Sequence, residues 1–413
     1  MTTTLSDYCD LISIQVDPCN NNDAVYLGLE HIRSGELLRM GGGLGEDVQS
    51  SKFSFKKNDV LYGKLRPYLD KSVLADCDGI CTTELLVLRP KPEVDPRFLA
   101  CTVHTHNFIE HAMSGVTGAQ HPRTSWHRIS KFEILPFSPN EQRAIAELVW
   151  KIHDALRTNG SALVTFQEVK QATMRVLFSR GLRGEKQKET EIGMIPESWN
   201  LETVGNHFAV ASGGTPSRAV ETYWSDGTIP WVKTTEVNYR KITNTEERIT
   251  RVGLEHSAAK LLPIGTVLMA MYGQGVTRGR VAVLGIEAAC NQASAAMTPL
   301  KEEVSPRFLY HFLAFRYEEI RRMAHGGQQQ NLNLDIVRSL PLPVTAPKDP
   351  EEQKEIVLIL DALDEKIDLH KRKKSVLEKL FQTLLQKLIA GDVRVSDLDL
   401  SPLETAPSIE VTV

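Results

Sequence analysis

Asp95-Pro96-Arg97-Phe98-Leu99 returns about 210 positions later as Ser305-Pro306-Arg307-Phe308-Leu309, and the rest of the chain keeps nearly the same step. Leu61 to Arg66 (LYGKLR) meets Met271 to Val276 (MYGQGV), and NEQRAIAELV from Asn140 meets EEQKEIVLIL from Glu351. An offset that drifts by only a residue or so over most of a chain is the mark of an internal repeat. The 413 residues therefore divide into two similar modules, as their number alone suggests, since single cores rarely grow beyond about 250–300 residues.

Each module has the same order: short strand-like runs such as CTTELLVLRP and IGTVLMAMYG, a helix from the shared Pro-Arg-Phe-Leu, a polar glycine-rich loop, then a long helix. Ser138-Pro139-x-Glu141 and Asp349-Pro350-x-Glu352 each place a cap, a first-turn proline and a glutamate at the third position, which predicts a capping box. Apolar residues then recur three and four apart. The first helix gives Ile145, Leu148, Ile152 and Ala155, then Phe166, Val169, Thr173 and Val176; the second gives Ile356, Ile359, Leu363 and Ile367, then Leu377, Leu380, Leu384 and Leu388. Such narrow seams suit a two-helix coiled coil, with Asn159 and His370 as a polar layer near the middle and Gly160 as a local irregularity. At 1.5 Å per residue each rod is about 55–60 Å long. Antiparallel pairing would place the globular parts at opposite ends of a pseudo-two-fold dumbbell.

The charge is nearly balanced, at −4, with the basic excess local. Lys170, Arg175, Arg180, Arg183, Lys186 and Lys188 form one cluster and Lys371 to Lys374 another, while the segment after Gly391 is acidic. A solvated helix face is the plainest reading of each basic run. The six cysteines form no Cys-x-x-Cys pair, which predicts reduced thiols in a cytoplasm. No apolar run approaches the roughly 20 residues that cross a bilayer, so no membrane role is expected.

Catalytic text is missing as well. There is no Asp/Asn-Pro-Pro-Tyr/Phe loop, no nucleotide-cradling glycine pattern in Gly41 to Gly45, and no Gly-x-Ser-x-Gly elbow. His104, His106 and His111 lack cysteine or carboxylate partners at metal spacing. What stands out is amide and arginine side chains on glycine loops, above all HGGQQQNLNLDIVRSLPLP at residues 325–343 and its weaker echo at residues 117–137. Glutamine and asparagine can pair with the N6 and N7 edge of adenine, and arginine with guanine O6 and N7.

In this order, and duplicated, these strings resemble the specificity subunit of type I restriction-modification systems over nearly the whole chain. The likeness is carried by IGMIPESW (192–199), SGGTPSRAVETYWSDGTIPWVKTTEV (212–237), Asn291-Gln292-Ala293, GGQQQNLN and PEEQKEIVLILDALDEKIDLHKRK, with YLGLEHI (26–32) and GKLRPYL (63–69) in the first module. One departure is that the first module has no counterpart of Ile195-Pro196-Glu197-Ser198-Trp199 before it.

The resemblance implies an α+β chain of two target-recognition domains joined by two long antiparallel coiled-coil helices. The expected bounds are 1–137 for the first domain, 138–180 for the central helix and 181–191 for a linker. The second domain then covers 192–347, the C-terminal helix 348–390 and an acidic tail 391–413. It further implies that each domain reads one half of a split site on double-stranded DNA and that the helices set the gap. Two modification subunits would dock to methylate adenine N6 with S-adenosylmethionine, and two restriction subunits using ATP and Mg would join. This chain would then be a targeting subunit with no catalytic residue, metal or cofactor of its own.

Its expected DNA-facing residues are Lys64, Arg66, Gln120, Arg123 and Arg128 in the first module. In the second they are Thr215, Ser217, Arg218, Lys233, Gln274, Arg278, Gln328, Gln329, Gln330 and Asn331. Gly63 and Gly273 match across the repeat and are expected to be structural. Two other readings fit the sequence: a type IIB-like specificity subunit with a different nuclease partner, and a coiled-coil scaffold that binds no DNA.

Overall fold

The computed structural model of the chain describes residues 3–114, 116, 121–273, 277–323, 331–345 and 349–399. Contacts divide it into two compact units, residues 1–161 with 370–413 and residues 162–369. The two long helices, Pro139–Arg180 and Pro350–Ile389, each contribute one part to each unit.

In the first unit an antiparallel sheet runs in the order Cys9–Ile12, Leu85–Pro90, Val60–Gly63, Ser72–Leu74. A second, five-stranded sheet holds Val25–Leu27 parallel to Gly79–Cys81, with Tyr26 opposite Ile80. The repeated Pro-Arg-Phe-Leu starts the helix Pro96–Val103 for a local reason: the Asp95 carboxylate accepts from the amides of Arg97 (2.8 Å) and Phe98 (3.4 Å). That helix buries Phe98, Leu99 and Val103 with Tyr62 and Phe108. The same core takes Ile145, Leu148, Val149 and Ile152 from one long helix and Phe381, Leu385 and Leu388 from the other.

The second unit runs through a similar order of elements. Its main sheet runs Phe208–Ser212, Ser294–Pro299, Val267–Ala270, Val281–Leu284, Lys241–Ile242. A three-stranded sheet sets Ile229–Val232 between Glu247–Ile249 and Ala289–Cys290. Ser305 caps the helix Pro306–Phe315, which packs Phe308 and Phe312 on Phe178 of the first long helix and on Ile356 and Leu360 of the second. Within 181–191, expected to be linker, Gln187–Thr190 is a strand that pairs with Gly193–Pro196.

Antiparallel helix contacts occur inside each unit. In the first, the Asn159 amide donates to the His370 carbonyl (2.9 Å) while its oxygen lies 2.8 Å from His370 Nδ1, so the polar layer forms. In the second, Lys170 meets Asp364 at 2.5 Å. The helix passes Gly160 without a break.

The expected seam fails at several positions in both helices. Val169 and Val176 are 44% and 50% exposed, whereas Lys170, Met174 and Leu177 are buried, one position later and about 100° further round the helix. Ile359 and Leu380 are likewise out in solvent beside buried Leu360 and Phe381. These helices pack against sheet-borne helices as well as each other, so a strict two-helix stripe does not describe the buried face.

The first capping box closes as predicted: Ser138 N and Oγ donate to Glu141 (3.0 and 2.8 Å), and Glu141 N donates to Ser138 Oγ (3.3 Å). The second closes only by half. Glu352 N donates to Asp349 (3.1 Å), but the Glu352 carboxylate turns inward to accept from Trp199 Nε1 (2.9 Å) and Leu182 N (2.6 Å).

Candidate nucleic-acid interface

In the first unit, residues 122–124 are laid against residues 64–66 by backbone bonds, Arg66 N to Pro122 O (2.7 Å) and Thr124 N to Lys64 O (3.0 Å). Arg66 sits at φ +52°, a left-handed conformation that a residue with a Cβ seldom adopts. Lys64, Arg66 and Arg123 are thereby brought together. Arg123 straddles the Glu84 carboxylate at 3.2 and 3.4 Å; the Lys64 and Arg66 side chains make no ion pair among the described residues. Arg128 is used differently: its guanidinium bonds the His111 carbonyl (3.1 Å) and the Ser114 hydroxyl, closing the C-terminal end of the helix His106–Met113. Gln120 lies outside the described residues.

In the second unit four expected residues share one surface. The Arg218 guanidinium lies 3.6 Å from the Trp224 ring centre and 5.2 Å from that of Trp231, and pairs with Glu247 at 2.6 Å. Lys233 Nζ reaches Glu246 at 2.5 Å and Glu247 at 3.5 Å. Ser217 accepts the Trp224 indole on its carbonyl (3.1 Å), and the Thr215 hydroxyl bonds Gln292. Hydrogen bonding to Glu246 raises the Lys233 pKa, and hydrogen bonding from Arg218 lowers that of Glu247, so Lys233 and Glu247 both stay charged at neutral pH.

Trp224, Trp231, Glu246, Glu247 and Gln292 were missed as members of this surface. Trp224, Trp231 and Gln292 lie in strings that carry the resemblance but were given no site role, and strand pairing sets Glu247 directly opposite Trp231. A second arginine–tyrosine group stands apart. Arg280 donates to Asn238 (2.9 Å) and lies over Tyr239 (5.9 Å), whose ring meets Tyr317 edge-on at 5.8 Å. Arg278 is buried near it in sequence, and Asn331 is exposed next to Leu332, whose amide donates to the Met271 carbonyl (3.2 Å). Gln274, Gln328, Gln329 and Gln330 lie outside the described residues. Gly63 has a Lys71 carbonyl 2.8 Å from where a Cβ would stand, and Gly273 adopts φ +133°, so both glycines are structural as expected.

His104, His106 and His111 face separate partners, Asp70, Glu110 and the Arg128 carbonyl. The metal-like group among the described residues is elsewhere, His311 with Asp361 and Asp364. Arg307 already clamps Asp361 and Lys170 neutralises Asp364, so this is a charge-balanced network. Burial lowers the His311 pKa and keeps the ring neutral. Asp361, despite its burial, is held at about 2 by hydrogen bonds from His311 and Arg307.

Residues 196–379 match the family model of the type I restriction modification DNA specificity domain. The chain is 28% identical to the MjaIX specificity subunit of Methanocaldococcus jannaschii over 50% of its own length and 47% of that protein's. It is 23% identical to the putative MjaX specificity subunit of the same organism over 86% of this chain and 83% of that one. A solved S subunit of a type I system from M. genitalium has the same fold, with TM-score 0.64, 18% identity, and coverage of 94% of this chain and 96% of that one. Over residues 196–379, then, the chain is similar to the type I DNA specificity domain, and over most of its length it resembles type I specificity subunits. It spans about half the length of the MjaIX relative.

Proposed function

We propose that this specificity chain reads a bipartite sequence on double-stranded DNA, one half with each unit, and aims an adenine-N6 methyltransferase formed with two modification subunits. The observation that carries the reading is the similar order of elements, with basic side chains gathered on loops of both units: half-buried Lys64 and Arg66 beside Arg123 in one, Arg218 and Lys233 in the other. The long helices act as an antiparallel, coiled-coil-like ruler between duplicated modules. Val169, Val176, Leu358, Ile359, Leu369 and Val376 leave apolar area on them uncovered, which supports docking of the modification subunits there. Two restriction subunits complete the assembly, and S-adenosylmethionine, ATP and Mg belong to those partners. The setting is the cytoplasm, consistent with six free cysteines. No described helix is long and apolar enough to cross a membrane.

Methylation-sensitive sequencing of DNA from a host carrying this chain and its modification subunit tests the reading. N6-methyladenine at one split motif, lost when the chain is deleted, is the expected result. Methylation that persists without the chain would instead favour the scaffold reading.

Base readers and phosphate clamps separate by salt dependence. Lys64→Ala is expected to weaken binding to all duplexes and reduce the slope of log K against log salt by about 1. Gln329→Ala is expected to relax preference at a single position by about 1–3 kcal/mol, measured by competition with single-base variants. Equal loss on every sequence would remove Gln329 from the reading role.

Glu247 holds both Arg218 and Lys233, so a phosphate must compete with it. Glu247→Gln should therefore tighten binding to non-cognate DNA severalfold and narrow the cognate preference, as read by fluorescence anisotropy at two salt concentrations.

A further inference from the structure

The strand Ile229–Val232 leads into a single 3₁₀ turn, Thr234–Glu236, and Glu236 at its end is 3% exposed. Both oxygens of this buried carboxylate are in use. Oε2 accepts from the Lys233 amide (2.9 Å), and Oε1 accepts from the Glu246 amide (3.1 Å) with the Arg240 guanidinium 3.6 Å away. Those two amides belong to the residues whose side chains pair on the surface above, Lys233 Nζ with Glu246 at 2.5 Å. One carboxylate therefore fixes the backbone under both members of that ion pair. Parting the turn from Glu246 would leave a buried carboxylate oxygen short of a donor, which is costly.

The turn is anchored on its other sides as well. The Thr234 hydroxyl donates to Asn291 Oδ1 (2.9 Å), the Asn291 amide to the Val232 carbonyl (3.1 Å), and the Tyr239 amide to the Val281 carbonyl of the main sheet (2.8 Å). The first unit has a turn of the same build with a different side chain. Its strand Val25–Leu27, like Ile229–Val232, runs parallel to a short partner and leads into one 3₁₀ turn, Leu29–His31. There the Gly28 amide donates to His31 Nδ1 (2.9 Å), as the Lys233 amide does to Glu236. The residue after each turn, Ile32 or Val237, is buried. Glycine stands in the first unit where the second has Lys233. The second unit thus carries a cation on this turn, and the second carboxylate oxygen sets the place of that cation's partner.

We propose that Glu236 is a positioning residue of the second unit's reading surface: through two backbone amides it sets the Lys233 ammonium, and the Glu246 carboxylate that competes for it, in the place from which Lys233 meets DNA. The inference rests on the reading of Lys233 as a DNA contact. Glutamine at position 236 has one acceptor oxygen, so if that oxygen serves the Lys233 amide, its NH2 group opposes the amide of Glu246. The segment that carries Glu246 then moves, and Lys233 loses its fixed partner.

Binding of the full chain, complexed with its modification subunits, to duplexes carrying the methylated split motif and its single-base variants tests this. Glu236→Gln is expected to lower base preference about tenfold within one half-site and to leave the other half-site unchanged. In a Lys233→Ala background the same substitution should cost about twofold or less, since no cation is left to aim. Equal loss in both backgrounds, or in both half-sites, would overturn the proposal in favour of a general structural role. Glu236→Asp, which keeps the charge and withdraws it by one methylene, serves if the glutamine variant does not fold. It should show the same one-sided loss at about threefold, and full preference there would overturn the proposal. Amide hydrogen exchange in the free chain reads the clamp without DNA: exchange at one or both of the Lys233 and Glu246 amides should quicken about tenfold in Glu236→Gln, and unchanged rates at both would overturn it. If Lys233→Ala alone left binding to every duplex unchanged, the DNA reading of Lys233 would fail and the proposal with it. A clear effect of Lys233→Ala beside none of Glu236→Gln would overturn the proposal alone.

Discussion

Asp361→Asn is expected to destabilise the second unit by about 2–3 kcal/mol in urea unfolding, somewhat below the ~3–5 kcal/mol of a fully buried pair because Arg307 and Asp361 keep some water contact. The carboxylate accepts from Arg307 Nε (3.0 Å) and His311 Nε2 (2.6 Å), so the amide strands a guanidinium in a half-buried site. Asp361→Leu combined with Arg307→Met should recover much of the loss, since two matched apolar groups need no partner. Acid unfolding carries the same signature. The folded pKa of Asp361 lies below its unfolded value near ~3.9, so its contribution is complete above that pH and is lost as pH falls through about 2. His311 is also depressed, by burial, so its contribution is present above ~6.5 and declines as pH falls below that. Asp361→Asn should abolish the lower phase, and an unchanged acid profile would refute the network's role.

Trp199→Ala is expected to cost about 3–5 kcal/mol, the range for emptying a large aromatic site. Trp199 is fully buried, meets Phe308 at 6.0 Å and donates to a carboxylate that is itself 1% exposed. Trp199→Phe keeps most of the volume and loses only the donor, for which about 1–2 kcal/mol is expected. The two variants compared by chemical denaturation separate packing from hydrogen bonding. Equal losses would show that the indole–Glu352 bond dominates.

These two sites also mark where sequence reading stops. Asp361 and Asp364 sit three apart in a helix full of charges, and nothing in that spacing distinguishes them from a solvated face. They become a buried network because Arg307 and His311 arrive on another helix and Lys170 on a third. Lys170 and Arg183, assigned by pattern to a basic solvated run, are ion-paired structural residues for the same reason. The half-open second capping box is a related case, in which Trp199 and the Leu182 amide outcompete the helix's own cap for Glu352.

Local rules determined much of the remainder. The Pro-Arg-Phe-Leu helix starts, the Ser138 cap, the two long helices and the Asn159–His370 layer follow from capping chemistry and apolar spacing, which act over a few residues. The likeness to specificity subunits was legible too, because the strings that carry it are contiguous. Tertiary structure alone decided which helix face is buried, where a shift of one residue turned the apolar stripe by about 100°. It also decided which basic side chains remain available. Arg218 and Lys233 gather around Glu247 and two tryptophans through strand pairing across tens of residues, while Arg128 is spent on a helix end. Partnership between distant residues depends on the path of the backbone in space, and no short window of sequence contains that path.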